Sequence, residues 1–143
     1  MPYAGRVNPR VLIVDDDPTF REALVRVLSE AGFTVRVAAD GQEALKILDY
    51  AHDSIDVAII DLNLPAISGF EVIGAITRRE TVMGIMATTA IYKQTFLDVA
   101  QYLGAHIAIR KPQDLEELKT WVPAIRSILK AEGEMGMAHG ALS

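Results

Sequence analysis

Five short apolar runs, at residues 11–14, 33–38, 57–60, 82–88 and 107–109, punctuate this sequence, and helix-spaced apolar residues follow each one. Runs that short read as strands rather than helices. The third run is the most telling. Residues 57–69, VAIIDLNLPAISG, take four apolar side chains straight into one carboxylate, Asp61, and then into a turn marked by Pro65 and Gly69. A strand apolar on both faces is buried on both faces, so Asp61 stands where it leaves the core and meets water.

The intervening stretches carry helix signals of their own. Asp17 suits an N-cap and Pro18 the first helical position. Phe20, Leu24, Val27, Leu28 and Ala31 then recur at helical spacing, and Gly32 supplies the stop. Asp40-Gly41-Gln42-Glu43 and Ser68-Gly69-Phe70-Glu71 have capping-box spacing. From Lys93, the positions Phe96, Val99, Ala100 and Leu103 predict an amphipathic helix closed by Gly104, and Asp114 can cap a final helix. Pro123 lies inside that helix and should kink or split it.

Strand and helix alternate five times, which predicts an α/β fold: a flavodoxin-like (βα)5 three-layer sandwich with a parallel five-stranded sheet in order 2-1-3-4-5. At 143 residues, half of them hydrophobic, the chain suits one domain. We place it at residues 9–130, with an N-terminal arm at 1–8 and a flexible Gly- and Ala-rich C-terminal tail at 131–143.

Zero Cys removes disulfides, thiolate metal sites and thiol nucleophiles together. The net charge of −5 argues against nucleic acid as a partner. No apolar run approaches the roughly 20 residues needed to cross a bilayer, and no signal-peptide core follows the first residues. These features suggest a cytoplasmic protein with no membrane partner.

The chemistry-bearing residues sit at the strand ends, where open parallel sheets place their sites. Asp15 and Asp16 end the first run and Asp61 the third, so neighbouring first and third strands bring three carboxylates together. Like charges that close repel unless a cation enters, and hard oxygen ligands point to Mg²⁺. Asp17 is better read as a helix cap. Thr89 and Lys111 follow the fourth and fifth runs at the same edge. A cation, a Lys and a hydroxyl around one carboxylate are the parts that stabilise a phosphoryl group on it. His52, His106 and His139 share no metal-ligand spacing and read as solvated or edge residues.

VLIVDD at 11–16, IIDLNLPAISG at 59–69, Thr89-Ala90 and Lys111-Pro112, in that order and spacing, resemble the receiver domains of two-component response regulators, the CheY-like family, over about residues 9–130. The resemblance implies that Asp61 is the phosphoacceptor, charged by a histidine kinase or histidine phosphotransfer protein. It also implies that Asp16, Asp61 and the backbone carbonyl of Asn63 ligate Mg²⁺ while Asp15 orients a bound water. Thr89 and Lys111 would contact the phosphoryl oxygens, with Lys111-Pro112 commonly a cis peptide. Thr88 is the other candidate hydroxyl. Thr89 is preferred because it lies 22 residues before Lys111, the spacing of the family, and because Thr88 points to the opposite strand face.

One departure stands out: three residues before Lys111, where the family has Tyr or Phe, this chain has Ala108. Tyr92 is a candidate to take over part of the missing ring's signalling role. Asn63 and Ile91, each two residues beyond a site residue, flank the route of the attacking water in the family, so an apolar Ile91 should prolong the phosphoryl lifetime.

The leading expectation is therefore a phosphorylatable signalling protein that is not an enzyme in the usual sense. It would act through a downstream protein on the face of the fourth helix, fifth strand and last helix, as a monomer or a phosphorylation-dependent homodimer. A receiver fragment of a larger regulator or hybrid kinase is one alternative, and a fold that is never phosphorylated is another. A Mg²⁺-dependent phosphatase of the haloacid dehalogenase type is the enzyme alternative. That class calls for a second Asp two residues after the nucleophile, where Asn63 stands.

Overall fold

The structure is a computed structural model that describes residues 8–79, 82–91 and 93–142, with residue 53 and residues 133–142 as backbone alone. Its strands are β1 (Arg10–Val14), β2 (Thr34–Ala38), β3 (Val57–Asp61), β4 (Gly84–Thr89) and β5 (Ile107–Arg110). Its helices are α1 (Pro18–Glu30), α2 (Gly41–Ala51), α3 (Gly69–Arg78), α4 (Gln94–Leu103), α5 (Leu115–Lys119) and α6 (Trp121–Leu142). The sheet order is β2-β1-β3-β4-β5 and every pairing is parallel, as the β-α alternation predicts.

Side chains of each strand alternate between two cores. Leu12, Val14, Ala58, Ile60, Ile85 and Ala87 pack with Leu48 of α2, Val72 and Ile73 of α3 and Ala100 of α4. On the opposite face, Val11, Ile13, Val57, Ile59 and Met86 pack with Leu24 and Leu28 of α1, Leu118 of α5, and Trp121, Ile125 and Leu129 of α6. All five side chains of β3 are buried, because its position at the centre of the sheet covers both faces.

Local signals set most helix starts. Asp17 accepts the N–H groups of Thr19 and Phe20, Asp40 that of Glu43, Ser68 that of Glu71, and Asp114 that of Glu117. Gly32 and Gly104 follow α1 and α4 with φ of 95° and 127°, in the region that favours glycine.

The structure refines three expectations. The helix after Asp114 is split: α5 ends at Lys119 and α6 begins at Trp121, which puts Pro123 in the first turn of α6, where its missing N–H has no intrahelical partner to lose. β4 starts two residues later than the run at 82–88 and ends one residue later, taking in Thr89. The expected tail from residue 131 is helical backbone as far as Leu142. Its glycines each disfavour helix by about 1 kcal/mol relative to Ala, but they are spaced among Ala, Glu, Met and Leu, which favour it. Among the described residues, no helix is long and apolar enough to cross a membrane.

Candidate functional site

β1 and β3 are adjacent and in register, Val14 beside Ile60, so the residues that follow each of these converge at one sheet edge. Asp15 comes directly after β1, and Asp61 closes β3. Carboxylate oxygens of Asp15, Asp16 and Asp61 all lie within 4.8 Å of one another, the first and last buried and Asp16 exposed. β5 delivers Lys111 to the same edge from across β4, tied by its backbone N–H to the Thr89 carbonyl at 2.8 Å. Its Nζ lies 2.9 Å from Asp15 Oδ2 and 3.2 Å from Asp61 Oδ2.

The remaining carboxylate oxygens are held by the backbone. The Asn63 N–H donates to Asp61 Oδ1 and the Asp17 N–H to Asp15 Oδ1, both at 2.9 Å. Burial holds the Asp15 carboxyl above its ordinary range, against the lowering effect of its hydrogen bond from Lys111. Burial alone would lower Lys111, yet the two facing carboxylates outweigh it and raise the ammonium above an ordinary lysine. One ammonium among three carboxylates leaves the pocket short of positive charge. An all-oxygen donor set with an exposed member open to water fits a hard divalent cation such as Mg²⁺.

The two threonines separate cleanly. The Thr89 Oγ1 donates to Asn63 Oδ1 at 2.6 Å and accepts the Ile91 N–H at 3.1 Å, over the loop that carries the acidic cluster's neighbours. Thr88 is the register partner of Asp61, and its Oγ1 is buried with no hydrogen-bond partner among the described residues. The preferred hydroxyl is the one that reaches Asn63.

Several participants were not legible in the sequence as site residues. The Phe20 ring centroid is 4.7 Å from Lys111 Nζ, and Arg21 Nη1 donates to the Asp15 carbonyl at 2.8 Å, so the first turn of α1 braces both the ammonium and an acid. Their signal was position, immediately after the Asp17 cap. Gly69 was read as a turn residue, but a Cβ there would lie 2.2 Å from the Asp61 carbonyl oxygen. The Asn63 side chain entered only as a neighbour of a water route, and it is the partner of Thr89.

Other expectations resolve as follows. No peptide among the described residues is cis, so Lys111-Pro112 is trans, and Lys111 is placed by its backbone bond to Thr89 and its two carboxylates. Ala108 is half-buried against the core that also holds Phe96 and Leu103. Ile91 is 49% exposed beside Thr89. Tyr92 lies outside the described residues. His106 is more engaged than an edge residue: its Nδ1 accepts the Ile85 N–H at 3.1 Å and its Nε2 pairs with the buried Glu132 of α6. His52 Nδ1 meets the Leu48 carbonyl, and the side chain of His139 is outside the description.

Sheet order and pocket define a doubly wound α/β domain with an acid-rich strand-end site, the class in which ligands bind outside the carboxyl ends of the strands. The sequence matches the family described as "Response regulator receiver domain" over residues 11–123, and the chain belongs to that family. It is 35% identical over 115 residues to the transcriptional regulatory protein TcrA of Mycobacterium tuberculosis, an alignment that covers 80% of this chain and 45% of that one. It is 34% identical over 128 residues to the response regulator MprA of Mycobacterium ulcerans, covering 90% and 54%. The chain thus spans about half the length of these curated relatives. Among solved structures it is similar to CheY of Borrelia burgdorferi, crystallised as a CheX-CheY-BeF3-Mg²⁺ complex, with a TM-score of 0.74, 25% identity and coverage of 82% and 88%.

Proposed function

We propose that this chain accepts a phosphoryl group on Asp61, with Mg²⁺, from a histidine kinase or histidine phosphotransfer protein, and signals through phosphorylation-dependent binding of another protein. The observation that carries this is the convergence of Asp15, Asp16, Asp61 and Lys111 on one pocket at the sheet edge. An Asp61 oxygen attacks phosphorus, a P–O bond forms as the donor's P–N bond breaks, and the departing imidazole nitrogen takes up a proton. Asp16, Asp61 and the Asn63 backbone carbonyl are the residues that would hold Mg²⁺, with Asp15 orienting a water. The bound cation supplies charge neutralisation for the transferring oxygens.

Lys111 already faces the acceptor oxygen and supplies a second positive charge. Thr89 is the hydroxyl that would donate to a phosphoryl oxygen once its present hydrogen bonds are released. The face of α4, β5 and the C-terminal helices is the proposed output surface, and Tyr102 and Val99 of α4 are exposed on that helix, at 90% and 41%. We place the domain at residues 9–130 in a cytoplasmic protein, as a monomer or phosphorylation-dependent homodimer, binding neither nucleic acid nor membrane. The half-length coverage of its relatives favours a second reading, in which these residues are the receiver part of a larger regulator.

Mass spectrometry after incubation with acetyl phosphate and Mg²⁺ tests the site. One added phosphoryl group on the wild type and none on Asp61→Asn is the expected result, and equal labelling of both ends the proposal. Sustained turnover of p-nitrophenyl phosphate would instead favour the phosphatase reading.

A further inference from the structure

Asn63 touches the site in two ways that its exposed position in the loop after β3 does not suggest. Its backbone N–H holds Asp61 Oδ1 at 2.9 Å, and its side-chain Oδ1 lies 2.6 Å from the Thr89 hydroxyl. One residue therefore grips both the acceptor carboxylate and the Thr89 hydroxyl.

A hydroxyl has one proton to give and lone pairs to accept with. Thr89 is completely buried, and its Oγ1 accepts the Ile91 N–H at 3.1 Å while two carbonyl oxygens compete for its proton, Asn63 Oδ1 at 2.6 Å and Ile91 O at 3.0 Å. Asn63 is the nearer. The hydroxyl as it stands has no proton left for a phosphoryl oxygen on Asp61.

We propose that Asn63 is a positioning residue whose side-chain amide holds Thr89 in reserve, so that the Asn63–Thr89 hydrogen bond must break before Thr89 can donate to a phosphoryl group on Asp61. This rests on the reading of Asp61 as phosphoacceptor. The bond opposes the charged state: whatever it contributes to the resting site is lost when the hydroxyl turns. Its strength sets the fraction of resting molecules in which Thr89 is free. The contact that could bind a cation, the Asn63 backbone carbonyl, is separate from this role and survives any substitution of the side chain.

The test is equilibrium binding of beryllofluoride in the presence of Mg²⁺, read from the bound fluorine resonances in ¹⁹F NMR. Beryllofluoride mimics the phosphoryl group without being hydrolysed, so water access past residue 63 does not enter. Asn63→Ala should bind it about three- to tenfold more tightly than wild type, the equivalent of one net hydrogen bond. In a Thr89→Val background, where there is no hydroxyl to release, the same substitution should have no effect. The position is exposed, and a thermal melt confirms that Asn63→Ala is folded. Equal or weaker binding by Asn63→Ala, or the same gain with Thr89→Val, overturns the proposal while leaving Asp61 as acceptor. Failure of the wild type to bind beryllofluoride with Mg²⁺ overturns the phosphoacceptor reading and this one with it.

Discussion

Thr88 and Thr89 are consecutive hydroxyls on one strand with opposite circumstances. Thr89 is engaged on three sides, whereas Thr88 Oγ1 is sealed from solvent without a partner among the described residues. An unmet buried hydroxyl costs about 1–3 kcal/mol, and Val has nearly the same shape. Thr88→Val should therefore raise stability by about 1 kcal/mol in urea unfolding and leave beryllofluoride binding unchanged; a loss of binding would show that the Thr88 hydroxyl serves the site. Asp15 carries a related cost. Its carboxyl is raised above 3.8, chiefly by burial, so the folded state holds its proton more tightly than the unfolded state does. That contribution to stability is complete below 3.8 and is lost as pH rises through the window from there up to the folded-state value. Above that window, without metal, the fold bears the cost of burying the Asp15 charge, while Lys111, raised above 10.5, keeps its contribution until well into alkaline pH. Asp15→Asn should melt at a higher temperature than wild type in EDTA at pH 7 and gain less from added Mg²⁺. Thermal melts in the two buffers check both halves, and a lower melting point in EDTA would contradict the assignment of cost to the charge.

The loop from β3 to α3 shows why a site on this fold tolerates little change beyond its polar groups. Gly69 begins α3 directly against the end of β3, and a methyl group there would meet Asp61 O at 2.2 Å, Leu62 Cα at 2.7 Å and Asp61 C at 2.8 Å. All three are backbone atoms and cannot rotate away. Gly69→Ala should lower stability by about 3 kcal/mol, the upper range for overpacking, and weaken beryllofluoride binding by displacing Asp61. A urea midpoint within error of wild type would show that the loop can yield. The same elements show what sequence alone makes legible. Asp17, Asp40, Ser68 and Asp114 all cap the helices their spacing predicts, because a cap is settled within four residues. The alternation of strand and helix predicts a doubly wound parallel sheet, and with β1 beside β3 in it Asp15, Asp16 and Asp61 meet. Less local outcomes were not legible. Pro123 predicts a kink or a split, but the place of the break, at Thr120, and the helical backbone beyond Gly133 depend on how the chain continues over many residues. The Asn63–Thr89 bond depends on side-chain placement in a loop and at a strand end 26 residues apart.

At the scale of the whole molecule, Ala108 offers no ring on β5 to carry a change at the pocket to a distant surface. The opposite face of the sheet has rings in the right place. Lys111 Nζ lies 4.7 Å from the Phe20 centroid, and Phe20 meets Trp121 edge-on at 5.7 Å between centroids. Trp121, the chain's single Trp, is buried at the first position of α6. Lys111 is balanced between this ring and two carboxylates, so a new anion on Asp61 shifts the ammonium toward itself and weakens its hold on Phe20. A ring released in this way would repack against Trp121, at the head of α6. Beryllofluoride with Mg²⁺ should therefore change Trp121 emission. Phe20→Leu, which keeps the apolar bulk but removes the π face, should cut that change by roughly half or more while beryllofluoride still binds. An undiminished response in Phe20→Leu would show that Trp121 senses the pocket by another path. A response lost together with binding would mean that Phe20 is needed to build the pocket rather than to relay its state.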